Sequence, residues 1–253
     1  MLHSIKALME FTVEAGSDAV GRVHDIYFDD SQWRLRYFVI DAGDREVLLS
    51  PLSVGHAAWD TGVLRFDLSV EQIRNSPDMD TVRPVSRQYE ETFNVYYGYP
   101  YYWASPQESS PIYPGIVERQ PLNETEKRAI KERLEDERRH TDPHLRSSDE
   151  VIGYRIQASD DRVGHVEDFL IDESDWSIRL MVVDTRNWLP GKHVLIAPYA
   201  IERVEWDARA VYLDITRQEL ETSPAYDPDN PPQSDAAVML HRPVSRDPRR
   251  ARP

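Results

Sequence analysis

Two stretches of the chain carry the same arrangement of apolar and polar positions. The first runs Val20-Gly21-Arg22-Val23-His24-Asp25-Ile26-Tyr27-Phe28, a β-branched and aromatic run that ends at the turn formers Asp29-Asp30-Ser31. This pattern predicts a strand entering a hairpin. The returning arm, Trp33 to Asp41, alternates at first and then becomes continuously apolar through Tyr37-Phe38-Val39-Ile40, as for a strand buried on both faces. Both arms recur 143 positions later, as Val163-Gly164-His165-Val166-Glu167-Asp168-Phe169 and as Trp176 to Asp184, with a short alternating segment before each glycine (Phe11 to Ala15, Tyr154 to Ala158). A period of this length points to a duplicated domain, not to a solenoid, whose units span roughly 20–50 residues.

The copies then differ by an insertion. The first passes tightly through Ala42-Gly43-Asp44-Arg45-Glu46 into Val47-Leu48-Leu49, whereas the second carries Thr185-Arg186-Asn187-Trp188-Leu189-Pro190-Gly191-Lys192 before Val194-Leu195-Ile196. The match resumes at Pro51/Pro198, Trp59/Trp206, Asp60/Asp207 and Asp67/Asp214. A second hairpin is expected about Asp60-Thr61-Gly62 and about Asp207-Ala208-Arg209. Ser69 and Thr216 then stand where N-caps of short helices belong, over Val70 to Asn75 and Arg217 to Thr222. Each copy reads as a strand meander closed by a helical turn or two.

Between the copies lies a segment of different character. Residues 81–122 form an aromatic and proline-rich connector holding Tyr89, Phe93, Tyr96, Tyr97, Tyr99, Tyr101, Tyr102 and Trp103. Two readings stay open: an exposed adhesive surface for a partner, since Tyr and Trp anchor interfaces, or an arm that folds back on the strand modules. Residues 123–140 are expected to be a charged spacer helix, with Glu124/Arg128 and Glu135/Arg139 at i,i+4 spacing. Residues 228–253 read as a Pro/Arg-rich flexible tail, in which Arg242 to Arg246 copies Arg83 to Arg87.

Composition changes this picture in a few places. With 253 residues and 40% hydrophobic content there is material for two small cores. A formal charge of -15 disfavours nucleic-acid and anionic-membrane partners. The absence of cysteine removes disulfides, thiolate metal sites and cysteine nucleophiles, and fits a reducing compartment. The first residues hold no continuous apolar run, and no window approaches the roughly 20 apolar residues of a membrane span. A cytoplasmic location is expected.

No stretch carries a catalytic signature. The Asp29-Asp30 and Asp172-Glu173 turns fall short of the oxygens of a calcium loop. His24 and His165 align with Glu167 and Arg22 and not with each other, and no His-Glu-x-x-His spacing occurs. Phosphate loops and nucleophile elbows are also missing. The recurring Asp25/Asp168 and Asp41/Asp184 are expected to fix turns by accepting backbone hydrogen bonds. No catalytic residue, metal ligand or cofactor is expected, and the protein is not expected to be an enzyme.

The Val-Gly-x-Val-x-Asp strand, the Trp opening the next, its terminal aspartate, the Leu-Leu/Ile-x-Pro strand end and the Trp-Asp hairpin resemble the PRC-barrel domain. The resemblance covers about residues 8–80 and 151–227, and Trp188-Leu189-Pro190-Gly191 looks like the family's Trp-Leu-Pro-Gly loop. It implies a mainly β fold: two small PRC-type β-barrels in tandem, each followed by a short helix, over 1–80 and 150–227. The family occurs in the cytoplasmic part of the photosynthetic reaction-centre H subunit and in the C-terminal domain of a ribosome maturation factor. It is associated with protein contacts and assembly.

The expected function is therefore a non-catalytic interaction or assembly module of bacterial type with a protein partner, or with a second copy of itself. Alternatives are a self-associating structural or stress-related protein, an RNA- or ribosome-associated factor, and a link to reaction-centre assembly. The candidate interaction surface is Tyr96, Tyr97, Tyr99, Tyr101, Tyr102, Trp103 and Trp188. The residues that define the repeat are Gly21, Asp25, Trp33, Asp41 and Trp59 with Gly164, Asp168, Trp176, Asp184 and Trp206.

Overall fold

The apolar runs become strands in both copies. The computed structural model describes residues 1–77, 93–94, 96–99, 145–185, 192–205 and 207–232. The first repeat contains β1 (Leu2–Ser4), a single-turn helix α1 (Ile5–Leu8), β2 (Thr12–Ala15), β3 (Asp18–Asp29), β4 (Arg34–Asp41), β5 (Glu46–Leu49), β6 (Val54–Ala58), β7 (Val63–Phe66) and α2 (Val70–Arg74). The second contains β8 (Leu145–Ser147), α3 (Ser148–Val151), β9 (Arg155–Gln157), β10 (Arg162–Asp172), β11 (Ser177–Asp184), β12 (His193–Ile196), β13 (Ile201–Glu205), β14 (Ala210–Leu213) and α4 (Arg217–Glu221). The described chain is mainly β, its helices are short, and none of them is long and apolar enough to cross a membrane.

Strand pairing repeats with the sequence. The described ladders run β6-β7-β2-β3-β4-β5 in the first repeat and β13-β14-β9-β10-β11-β12 in the second. Closed barrels are the expectation; among the described residues these paths are open. The reason lies at the corners, where a 3-10 turn led by proline, Pro51–Ser53 or Pro198–Ala200, joins the two end strands. Proline offers no N–H to a ladder, and the corner is tied instead by Asp67 N–H to Ser53 C=O at 2.7 Å and Asp214 N–H to Ala200 C=O at 2.9 Å.

Two compact units divide the chain, and their borders do not follow the repeats. One comprises Met1–Phe11, Asp25–Arg36 and Arg146–Pro253, so it combines the second repeat with the first arm and the β3–β4 hairpin tip. In it Leu2, Leu170, Leu180, Val182, Leu195 and Ala197 form a buried cluster, with Tyr226 packed on it. The other comprises Thr12–His24 and Tyr37–Leu145. There Phe38 meets Phe66 edge-to-face at 5.7 Å, and Val13, Ile40, Leu48, Leu64 and Ile73 are also buried.

The helix caps agree with the sequence. Ser69 with Gln72, and Thr216 with Glu219, make complete capping boxes on α2 and α4. Two features depart from expectation. Trp33 and Trp176 do not open their strands: both close the preceding turn in the left-handed region, at φ 52° and 57°. The turn is set by Asp29, whose Oδ1 accepts from Ser31 N–H (2.8 Å), Ser31 Oγ (2.6 Å) and Gln32 N–H (2.9 Å). The second repeat also starts with β8, ahead of the boundary expected at 150. The spacer helix at 123–140, the Arg83 to Arg87 copy, Trp188, Trp206 and the tail beyond 232 lie outside the described residues.

Gly21 and Gly164 are required by close approach. A Cβ at either would collide with the carbonyl oxygen of Asp41 or Asp184, the terminal residue of the neighbouring strand. Gly164→Ala is expected to cost at least about 2 kcal/mol through this clash and its φ of 142°. Gly16→Ala, at φ 63° with open space around it, is expected to cost about 1 kcal/mol. Urea unfolding of the two variants beside the wild type checks the difference.

Candidate functional site

Two recurring aspartates, Asp25 within β3 and Asp168 within β10, converge on one feature: each repeat holds the other's N-terminal arm. The register places β1 antiparallel to β10, with Leu2 opposite Asp172, His3 opposite Ile171 and Ser4 opposite Leu170. β8 in turn pairs with β3. Each arm is a three-residue strand followed by one helical turn, and such a helix start leaves backbone N–H groups without intrahelical acceptors.

Asp168 and Asp25 supply the acceptors. Asp168 Oδ1 accepts from the Lys6 N–H at 3.1 Å and from the Phe169 N–H at 2.7 Å, and Oδ2 accepts from the Ser4 hydroxyl. Ser4 Oγ in turn accepts from the Ala7 N–H at 3.0 Å, which makes Ser4 the N-cap of α1. Asp25 Oδ1 accepts from the Asp149 N–H and the Ser148 hydroxyl, each at 3.0 Å, and from the Ile26 N–H at 2.7 Å. Its Oδ2 accepts from Ser147 Oγ at 2.6 Å, and Ser147 caps α3 through the Glu150 N–H at 3.0 Å. Both carboxylates are buried, at 7% and 6% exposure. Burial pushes both carboxyl groups above their ordinary range, opposed first by hydrogen bonds from Ser147 and Ser4.

A reciprocal backbone pair lies beside the arms. Leu35 N–H donates to Trp176 C=O at 2.9 Å, and the equivalent Ile178 N–H donates to Trp33 C=O at 2.7 Å, with Arg34 opposite Ser177. Phe28 stacks on Trp33 at 5.6 Å and meets Phe169 at 5.3 Å. Arg146 Nε lies 2.5 Å from Asp30 Oδ2. Burial raises the Asp29 carboxyl, but the hydrogen bonds from Ser31 and Gln32 and the nearby Arg36 outweigh it and hold the group below its ordinary value.

The aromatic connector is described in part. Phe93 is fully buried and meets Tyr37 edge-on at 5.0 Å, Tyr97 at 4.7 Å and Tyr99 at 6.1 Å. Tyr97 and Tyr99 stack at 5.5 Å, Tyr96 lies edge-on to Tyr97 at 4.8 Å, and the Tyr96 hydroxyl donates to Gln72 C=O at 3.1 Å. These three tyrosines are half-buried on α2 and β4 of the first repeat. Burial lifts the Tyr99 phenol to about 12. Tyr101, Tyr102 and Trp103 lie outside the described residues.

The remaining repeat residues fall at strand ends. Asp41 fixes its turn by accepting from the Gly43 N–H at 2.8 Å, and Trp59 is half-buried where β6 enters its turn. Asp184 is buried below two histidines. The arms themselves have no counterpart in the sequence reading. The legible signal was small: Leu2/Leu145 and Ser4/Ser147 hold the same 143-residue spacing as the hairpins.

A duplicated, mainly β module with a helical cap and an exchanged arm is thus the class that fold and site define. The family model of the PRC-barrel domain matches residues 143–220, so the second repeat is a PRC-barrel domain, and the match takes in the arm β8–α3. No curated protein matches the chain.

Replacing Asp168 by Ala leaves the part-buried Ser4 hydroxyl and Lys6 N–H without their acceptor, a loss of about 2 kcal/mol. Hydrogen exchange is expected to quicken selectively in residues 1–8. The pH dependence of Asp25 has a definite sign. Its folded pKa is raised, so the stability gained on protonating it is fully present below the unfolded value near 3.8 and is lost as pH rises through the folded value. Relative to Asp25→Asn, the wild type is therefore expected to gain stability as pH falls from 7 toward 4. Urea midpoints of the pair across that range check it.

Proposed function

We propose that the chain is a non-catalytic assembly module of the cytoplasm, built on two PRC-barrels, that binds a protein partner as a preassembled pair of domains. The observation that carries this reading is the reciprocity of the arm exchange: Ser4 on Asp168 and Ser147 on Asp25, Trp33 with Ile178 and Trp176 with Leu35. Equivalent residues trading equivalent bonds is the signature of an isologous, two-fold interface, ordinarily found between two copies of a chain. Here both halves lie in one polypeptide, so pairing is independent of concentration. The absence of any catalytic motif in the sequence and the net charge of -15 favour a protein partner over RNA.

Self-association is the second reading, and the partial burial of Tyr96, Tyr97 and Tyr99 on their own repeat reduces the aromatic surface left for it. The assembly reading expects the native, full-length protein to migrate in its host with a stoichiometric protein partner, and the purified chain to be monomeric by light scattering. A native complex containing only copies of this chain would replace it with the self-association reading.

A further inference from the structure

The antiparallel register sets three strands of the second repeat side by side, and one row across them is chemically distinctive. His165 on β10 stands opposite Asp184 on β11, and Asp184 stands opposite His193 on β12. Directly opposed residues share a face of the sheet, so two imidazoles flank one carboxylate. The His165 Nε2 lies 3.5 Å and the His193 Nε2 4.0 Å from Asp184 Oδ2. A β-bulge between Val166 and Asp168 falls at Glu167, and a bulge re-aims the residue it carries. Glu167 Oε2 consequently reaches to 3.8 Å from His165 Nε2. Its other oxygen, Oε1, accepts from Lys6 Nζ at 2.7 Å, which fixes the carboxylate.

We propose that His165, His193, Asp184 and Glu167 bind one divalent transition-metal ion of the zinc class. The separations fit that chemistry. Ligand atoms about 2.0–2.1 Å from a tetrahedral ion lie roughly 3.4 Å from one another; the ligand atoms of His165, Glu167 and Asp184 all lie within 4.8 Å of each other, and His193, 4.0 Å from Asp184, would complete the set by a side-chain adjustment. The contacts between imidazole and carboxylate are longer than the 2.7–3.2 Å of a good N–H···O bond, so the groups surround a gap of coordination size. Two nitrogen donors select a borderline ion over calcium or magnesium, which take oxygen. The Asp184 side chain is wholly buried, whereas the two histidines and Glu167 are about one-third exposed, at 36%, 35% and 33%. One side of the site is thus anchored in the core and the other faces solvent, by which an ion can enter. The bound ion would tie β10, β11 and β12 together, independently of the partner-binding role.

The first repeat provides an internal control. At the equivalent positions it has Arg22, His24, Asp41 and Glu46, a single histidine and a fixed positive charge in place of His165. His24 Nε2 there pairs with Glu46 Oε1 at 3.3 Å.

The test is Co2+ titration of the untagged full-length protein, read by visible absorption and by displacement with Zn2+. The expected result is one Co2+ per chain with the intense bands of a low-coordinate ion, displaced by Zn2+, and a melting temperature raised by Zn2+. His165→Gln and His193→Gln should each weaken binding by at least about tenfold, while His24→Gln leaves it unchanged; circular dichroism of the variants verifies that they fold. Absence of binding by both metals up to millimolar concentration would reduce the cluster to ion pairs and overturn the proposal. Unchanged stoichiometric binding in the His165→Gln/His193→Gln variant would overturn it equally.

Discussion

A buried carboxylate that caps a helix belonging to the other repeat is the constraint on which the described structure depends. Taking Asp25 and Asp168 out of water is costly, and beyond the N–H of its own next residue each is compensated by donors that arrive on the exchanged arm: the Ser4 hydroxyl and Lys6 N–H for Asp168, and the Ser147 and Ser148 hydroxyls and Asp149 N–H for Asp25. The arms need the carboxylates as much as the carboxylates need the arms, because a helix of one turn has no stability of its own. Two weak partners thereby make one well-satisfied contact, twice. A β module of about seventy residues is marginal in isolation, which gives the duplication a physical reason.

The two copies have kept that contact and let much else diverge. Serine, aspartate, glycine and tryptophan persist at Ser4/Ser147, Asp25/Asp168, Gly21/Gly164 and Trp33/Trp176, all at the arm, the close approach or the reciprocal strand pair. Around Asp184 the second copy has gathered histidines, whereas the first has an arginine and a shorter loop between β4 and β5. The first copy instead carries Phe93 and Tyr97 against Tyr37. The conserved contact concerns pairing, and the divergent surfaces are where a partner or an ion would distinguish the two halves.

Much of the fold was legible because period-2 patterning and turn chemistry act locally. The strands around Gly21 and Gly164, the hairpins at Asp29 and Asp60, and the caps at Ser69 and Thr216 all follow from residues within a few positions of each other. The arms were not legible, since Leu2-His3-Ser4 is too short for a periodic signal and its partner, Asp168, lies more than 160 residues away. A backbone-bonding role for Asp25 and Asp168 accounts for their bonds to the Ile26 and Phe169 N–H groups and leaves out those to the arms. The row around Asp184 was hidden for a related reason: His165, Asp184 and His193 show no ligand spacing along the chain, and only the strand register aligns them.

The arm exchange is tested most directly by disulfide trapping, made clean by the absence of native cysteine. Paired strand positions lie within the roughly 4.4–6.8 Å between Cα atoms that a disulfide spans. His3→Cys with Ile171→Cys joins the arm to the second repeat; His3→Cys with Phe28→Cys joins it to the equivalent position of its own repeat. The account predicts that the first pair oxidises quantitatively within a monomer that keeps its native circular dichroism, and that the second does not. Efficient closure of the second pair, with the first remaining reduced, would contradict it.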